Sequence, residues 1–213
     1  KSQTPFSDVP ENHWASGYIN YAATLGIING YGDGTFKPDR TVSYDEAVKM
    51  LVCALGYKLE YLNGTYPGAF VSKAKALGII DGVQAGSAGA NRGDIATLVY
   101  QTLHVPMVRY DKDGAIEEEM VPDPINGGTM KETMGGRLGA FSVAAKVLLN
   151  ADVDTALINI SHLRGAYAET YVNKDLEIIG IKEVKTVFLT GNFDDFPANV
   201  KEFSGDEDYA ISA

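Results

Sequence analysis

The sequence predicts an α+β protein of two domains: a helical half made of repeated helix–loop–helix units, then a small β-rich domain compatible with a barrel. Three observations predict it. The hexapeptide LGIING at Leu25–Gly30 returns as LGIIDG at Leu77–Gly82, 52 residues on. Beyond the loop that follows, SYDEAVKMLVCALG (Ser43–Gly56) lies over NRGDIATLVYQTLH (Asn91–His104) at an offset of 48. The second copy has therefore lost four loop residues, where deletions cost little. From Val105 the apolar spacing of three and four residues gives way to alternation around turn residues. These changes divide the chain into residues 1–104, with units at 6–56 and 57–104, and residues 105–213, which end in an acidic tail.

The first helix follows from Trp14, Tyr18, Ile19, Ala22 and Leu25, which recur on one amphipathic face and stop at Gly26 and Gly30. Asp8 stands ahead of it as a candidate N-cap. Ser43, with Glu46 three residues on, spells a capping box for the second helix, whose stripe is Ala47, Met50, Leu51, Ala54 and Leu55. Gly56 ends that helix, Tyr66–Gly68 opens the third, and Asn91 with Asp94 repeats the start signal for the fourth. By the same offset Trp14 falls on Tyr66 and Tyr18 on Phe70.

In the second half, Met107–Met120 alternates around Asp113-Gly114 and predicts a hairpin. Val121–Gly128 is expected as loop and Leu138–Leu149, flanked by glycine, as a strand. Ala166–Val172 and Leu176–Val184 form the clearest hairpin, turning at Asn173–Asp175; Thr186–Thr190 supplies another strand before the acidic Ser204–Tyr209.

Composition narrows the functions. The net charge of −10 is uneven: residues 1–104 hold eight basic and nine acidic side chains, residues 105–213 ten and nineteen. No basic block argues for nucleic acid, and no apolar run reaches the ~18–20 residues of a membrane span. A single cysteine, Cys53, permits no internal disulfide and suits a small core position on its helix. The chain opens at Lys1 without Met or signal peptide and reads as a processed or trimmed fragment. His13, His104 and His162 lack ligand spacing, and Asp111, Asp113 and Gly114 fit a turn better than a calcium loop, so neither a metal nor a cofactor is expected. No nucleophile–base pair or phosphate loop is present, and no motif singles out paired carboxylates, so no enzyme is expected.

The glycine-rich loop between the first two helices is a connector by the same elimination. PDRTVSYD has no Gly-Lys-Ser/Thr before its helix, and Asp33, Asp39 and Asp45 lie six apart, outside EF-hand spacing.

FSDVPENHWASGYINYAATLGIINGYGDGTFKPDRTVSYDEAVKML (Phe6–Leu51) resembles the S-layer homology module of bacterial surface proteins. It has the opening Ser-Asp-Val, the His-Trp-Ala, the Gly-Ile-Ile-x-Gly and the Gly-x-Gly-Thr-Phe-x-Pro loop. The second unit keeps the helical frame and NRGD, a divergent copy; together the two cover residues 6–104. The resemblance implies an extracellular protein of the bacterial cell wall or S-layer. Such modules usually come in threes about a pseudo-threefold axis and hold secondary cell-wall polysaccharide, often through a pyruvylated sugar. It also implies a site. Where the family pattern has Thr-Arg-Ala-Glu, the first unit reads Ser43-Tyr44-Asp45-Glu46 and the second Asn91-Arg92-Gly93-Asp94, so only the second keeps the Arg. An Arg at a helix start joins a planar fork to unpaired N–H groups and the positive dipole end, which suits an anion. The implied polysaccharide-binding set is Arg92, Trp14, Asp8, Gly32, Gly34 and Tyr44. Three have a plainer reading: Trp14 as a core anchor, Arg92 as the partner of a carboxylate, Asp8 as a helix cap. Two modules of a threefold frame also leave an apolar face, which implies self-association or contact with other surface-layer proteins. If the sugar site is lost, the chain is an assembly module of a surface lattice.

Overall fold

The computed structural model describes residues 4–83, 86, 89–124, 127–149 and 166–187. They fall into two compact units, one within Lys1–Val121 and Met130–Met134, the other within Pro122–Thr129 and Gly135–Ala213.

The first unit carries four helices, α1 (Ser16–Thr24), α2 (Tyr44–Ala54), α3 (Gly68–Ala76) and α4 (Arg92–Leu103). Local chemistry sets their ends. At α2 the Ser43 side chain accepts from Glu46 N–H at 3.2 Å while the Glu46 carboxylate accepts from Ser43 N–H at 2.8 Å, the reciprocal cap that the spacing predicts. Asn91 accepts from Asp94 N–H at 2.9 Å at the start of α4. Three helices close with one motif. Gly26 N–H donates to Ala23 O and Ile27 N–H to Ala22 O; Gly78 and Ile79 repeat this on Lys75 and Ala74, and Gly56 and Tyr57 on Cys53 and Val52. The glycine at each of these ends has positive φ, the left-handed step that returns the chain toward its own helix.

α2 sits between two apolar clusters. On one side Val48, Val52 and Leu55 pack with Phe70, Ala74, Ile79 and Leu98 from α3, the turn after it and α4. On the other, Met50 meets the smaller cluster of Phe6, Val9, Ala15, Ile19 and Ile28. The buried stripe is therefore Ala47, Val48, Val52 and Leu55; the expected Met50, Leu51 and Ala54 are only partly buried, because a helix with neighbours on both sides has no single inner face. Burying each large aliphatic side chain contributes about 1.5–3 kcal/mol.

The face of α1 is a larger correction. Ile19 is buried and Ala22 partly so, but Trp14, Tyr18 and Leu25 are exposed, Trp14 by 83%. The inward face is the small-residue side, Ala15, Ser16, Ile19, Ala22 and Ala23, about one residue's rotation away. Small side chains let α1 lie close to Phe6, Val9 and Ile28. Trp14 is therefore no core anchor.

The first unit runs on past its helices. Val105, Met107 and Val108 join the core of α2, α3 and α4, and Val108 N–H donates to Leu55 O at 2.8 Å. The hairpin expected around Asp113-Gly114 is present as β1 (Val108–Tyr110) and β2 (Ile116–Glu118), antiparallel, with Asp111 accepting from Asp113 and Ala115 N–H. The aspartate thus closes a turn. Val121–Gly128 is not all loop: β3 (Met120–Pro122) pairs with β4 (Thr129–Lys131), and next to the pair Asp123 N–H donates to Gly128 O.

In the second unit β5 (Phe141–Leu149), β6 (Ala166–Val172) and β7 (Ile178–Val187) form an antiparallel sheet in that order. The strand expected over 138–149 is present from Phe141, and the hairpin at Asn173 matches expectation: Asn173 Oδ1 accepts from Asp175 and Glu177 N–H, both at 3.0 Å. Ala168, Thr170 and Val172 are buried at alternate positions of β6, and Glu169 between them pairs with Lys182 at 3.1 Å. Among the described residues the three strands stay open and no barrel closes. Thr186 and Val187 continue β7 rather than start a strand; 188–190 and the acidic Ser204–Tyr209 lie outside the described residues.

Candidate functional site

The loop between α1 and α2 is held by Asp8. Its two carboxylate oxygens accept from the N–H groups of Phe36 and Lys37 at 2.8 and 2.7 Å, and these bonds lower its pKa below the usual carboxylate range, the Phe36 amide most. Asp8 is not the cap of α1. That helix begins eight residues later at Ser16, and its N-cap residue, Ala15, has no side-chain bond. Asp33 braces the same loop, accepting from the Thr35 hydroxyl at 2.6 Å and amide at 3.0 Å, which lowers its pKa too. Phe6 stacks on Phe36 at 5.4 Å, and the loop tip folds through Gly32 to Gly34, whose N–H donates to Tyr31 O and whose carbonyl accepts from Ser7 N–H. Gly30 enters the loop at φ +64°, where a Cβ would lie 2.3 Å from the Phe6 ring and 2.7 Å from Thr35 O. Only glycine fits there.

This frame walls a surface groove of about 410 Å³. Its cations are Lys37, Arg40 and Lys49; its aromatic lining is Tyr31, Phe36 and, from the start of the second helix–loop–helix repeat, Tyr66. Arg40 Nη1 donates to Glu46 Oε1 at 3.1 Å and to the Tyr31 hydroxyl, leaving Nε and Nη2 unengaged among the described residues. Lys37 Nζ and the Arg40 guanidinium lie 4.4 and 5.3 Å from the Tyr31 ring centre, close enough for cation–π attraction. Lys49 donates to Ile27 O at 2.7 Å, and partial burial pushes its pKa down. Glu46 thus caps α2 and orients Arg40.

The predicted site residues divide into separate places. Asp8, Gly32 and Gly34 meet in the loop. Tyr44 and Arg92 both begin a helix, at α2 and α4, and the two starts are tied by the Ser43–Gly89 bridge and by Ala90 N–H on Val42 O. The Tyr44 hydroxyl donates to Asp94, which raises its pKa, and accepts from Asn91 at 3.2 Å, so it joins the two helix–loop–helix repeats. Asp45 N–H already donates to Gly86 O. Arg92 is exposed and has no ion pair among the described residues, so the carboxylate-partner reading does not hold. No hydrogen bond or ring contact joins Trp14 to Arg92 or to the loop; its ring neighbour is His13 at 5.9 Å. Missed from sequence were Lys37, Arg40, Tyr31 and Tyr66. The signal was the Lys-Pro-Asp-Arg that closes the loop, which places a second cation just outside α2.

Four helices in two repeated helix–loop–helix units, with a groove beside the first loop, define the module. Residues 5–48 match the S-layer homology domain family. The chain is 37% identical over 124 residues to a cell surface protein of Thermoanaerobacter kivui, covering 58% of this chain and 15% of that one. A middle cell wall protein of Brevibacillus brevis is 32% identical over 130 residues, 61% of this chain and 12% of its own. A cellulosome-anchoring protein of Acetivibrio thermocellus is 38% identical over 45 residues, 21% of this chain and 10% of its own. The chain thus spans a small part of the length of these relatives. Residues 5–48 thus form an S-layer homology module, and the chain is similar to bacterial cell-surface and cell-wall proteins, which places it outside the cell in the wall or S-layer. No helix among the described residues is long and apolar enough to cross a membrane.

Proposed function

We propose that the chain is a non-catalytic anchoring module that holds an anionic, pyruvylated cell-wall polysaccharide in the groove beside the α1–α2 loop, with Arg92 as a second contact. The observation that carries this reading is the placement of Arg40 in the groove between Tyr31 and Tyr66, with two donors unengaged and Lys37 nearby. A guanidinium suits a sugar carboxylate because its planar donors match both oxygens, and a tyrosine face suits the apolar side of a pyranose ring. Asp8, Gly32 and Gly34 act by shaping the loop. A charge-assisted hydrogen bond contributes about 1.5–3 kcal/mol, so Arg40→Ala should weaken binding about ten- to a hundredfold. Arg92→Ala should weaken it by a smaller factor.

One observation favours the assembly-module alternative: Tyr44 is occupied by Asp94 and Asn91 and cannot also face a ligand. Calorimetric titration with wall polysaccharide, before and after removal of its pyruvyl groups, decides between the two. Binding that vanishes with the pyruvyl groups and falls in Arg40→Ala, with circular dichroism unchanged, supports the anchor. A wild-type chain that binds neither polymer leaves the assembly module.

A further inference from the structure

The groove beside the first loop holds one charge that the fold leaves without a counter-ion. Of its three cations, Arg40 pairs with Glu46 at 3.1 Å and Lys37 with Asp33 at 3.8 Å. Lys49, half-buried on α2, pairs with no carboxylate among the described residues. Its ammonium donates to two neutral oxygens, Ile27 O at 2.7 Å and Asn29 Oδ1 at 3.5 Å. The third N–H donor is unengaged among the described residues. Burial pushes its pKa below the ordinary lysine value, as it does for a cation without a partner, while the Cys53 thiol one turn on works against this.

The plain reading makes Lys49 a tether between α2 and the turn after α1. The second repeat shows what such a tether needs. There the Gln101 amide, on α4, donates at 2.8 Å to the carbonyl of Asp81, which follows α3 and matches Asn29 at the offset of 52. Thr97, which matches Lys49 at the offset of 48, is neutral and donates back to Gly93 O at 3.2 Å. A neutral amide therefore ties the same two elements, and the charge at position 49 is surplus to the fold. It also costs stability, because a half-buried charge loses hydration that no partner replaces.

We propose that Lys49 is the counter-ion seat of the groove: its ammonium pairs with the carboxylate of an acidic sugar and so selects that sugar over a neutral one. The inference rests on the polysaccharide reading and adds a residue to it. Arg40, balanced by Glu46, supplies directed donors, and Lys49 supplies the unbalanced charge. A carboxylate beside Lys49 favours the charged amine, so its pKa rises when the ligand binds. The affinity from this pair is full below the free-chain pKa and falls as pH rises through it. The other ionisable groups around Lys49 are Cys53 and Glu46 on α2, Tyr31, Lys37 and Arg40 from the loop, and Tyr66. Burial pushes the Tyr66 phenol above its ordinary 10.0, and Lys37 is the other amine.

Calorimetric titration of the full chain with purified wall polysaccharide, in buffers of different ionisation enthalpy, reads affinity and protons together. Just below the ordinary lysine value of 10.5, binding should take up more protons than at neutral pH. Lys49→Gln keeps an amide for Ile27 O and should bind about ten- to a hundredfold more weakly at neutral pH. It should also lose most of the alkaline proton uptake, which Lys37→Gln should retain. A lysine that merely tethers would weaken binding without moving the proton count. Circular dichroism checks the fold, and the wild-type proton count needs no variant. A wild type that binds without extra uptake, or a folded Lys49→Gln that binds as tightly, overturns this inference and leaves the anchor reading standing. A wild type that does not bind overturns both.

Discussion

The two helix–loop–helix units carry the same frame, yet equivalent residues meet opposite surroundings. Phe70 lies in the core while Tyr18, its counterpart, points to solvent; Ile79 is fully buried and Ile27 only partly; Leu77 packs on the core and Leu25 stands out. The backbone chemistry is shared, down to the paired bonds that close α1 and α3. What differs is the neighbour: α3 packs on α2, and among the described residues no helix covers the outward face of α1. A periodic apolar stripe therefore states that a face is available for packing, and a neighbouring element decides whether it is used. The loops diverge in the same way. The first is braced by two aspartates and an aromatic stack, and the second is four residues shorter and lies against α2 through Gly86 and Gly89.

The largest expected effect breaks the comparison at its sharpest pair. Phe70→Ala should lower stability by about 3–5 kcal/mol, since it opens a cavity in the core. Tyr18→Ala should stay within about 0.5 kcal/mol, as exposed substitutions do. Urea unfolding of both variants measures the difference, and equal losses would show that Tyr18 is packed in solution.

A middle-sized effect separates the loops. Gly30 and Gly82 are equivalent and both have positive φ, but an added Cβ meets Phe6 and Thr35 at the first and nothing within 4 Å at the second. Gly82→Ala should cost about 1–2 kcal/mol, the strain of a left-handed backbone alone. Gly30→Ala should cost clearly more and should weaken polysaccharide binding if the loop groove is the site. Thermal melts of the two variants check the order.

The smallest effect is in pH. Asp8 and Asp33 have folded-state pKa values lowered below the ordinary 3.8 by amide and hydroxyl donors. Such groups contribute stability that is present above the unfolded value and lost as pH falls through the folded one, so the first loop should loosen below about pH 4. Protection of the Phe36 and Lys37 amides, taken relative to the intrinsic exchange rate at each pH, should fall there. In Asp8→Asn it should already be low at neutral pH and should change less on acidification. Protection that ignores pH in the wild type would remove Asp8 as the clamp.

Much of the site was legible only in part, for physical reasons. Ser43-x-x-Glu46, Asn91-x-x-Asp94 and the glycines after α1, α2 and α3 act through bonds between residues a few positions apart, so spacing alone reveals them. Asp8 failed because its partners lie 28 and 29 residues away on a loop. A short acidic side chain ahead of a helix is ambiguous until the chain folds back. Arg40 was passed over for Arg92 because motif alignment looks inside the helix start, while Glu46 of α2 reaches back to orient an arginine outside it.

By itself the amino-acid sequence determined the two-unit repeat, both ends of α2, the starts of α3 and α4, the Asn173 turn and the kinship with surface-layer modules. All of these depend on local hydrogen bonding or on residue order. Only the tertiary structure decided which side of α1 faces inward, that Tyr44 joins two helix starts, that the described strands of the second unit stay open, and that Arg40 and Tyr66 share a groove. Those outcomes turn on which surfaces find a partner across long sequence separations. The shared spacing of Tyr18 and Phe70 cannot distinguish one fate from the other, because burial belongs to the pair of surfaces and not to the stripe.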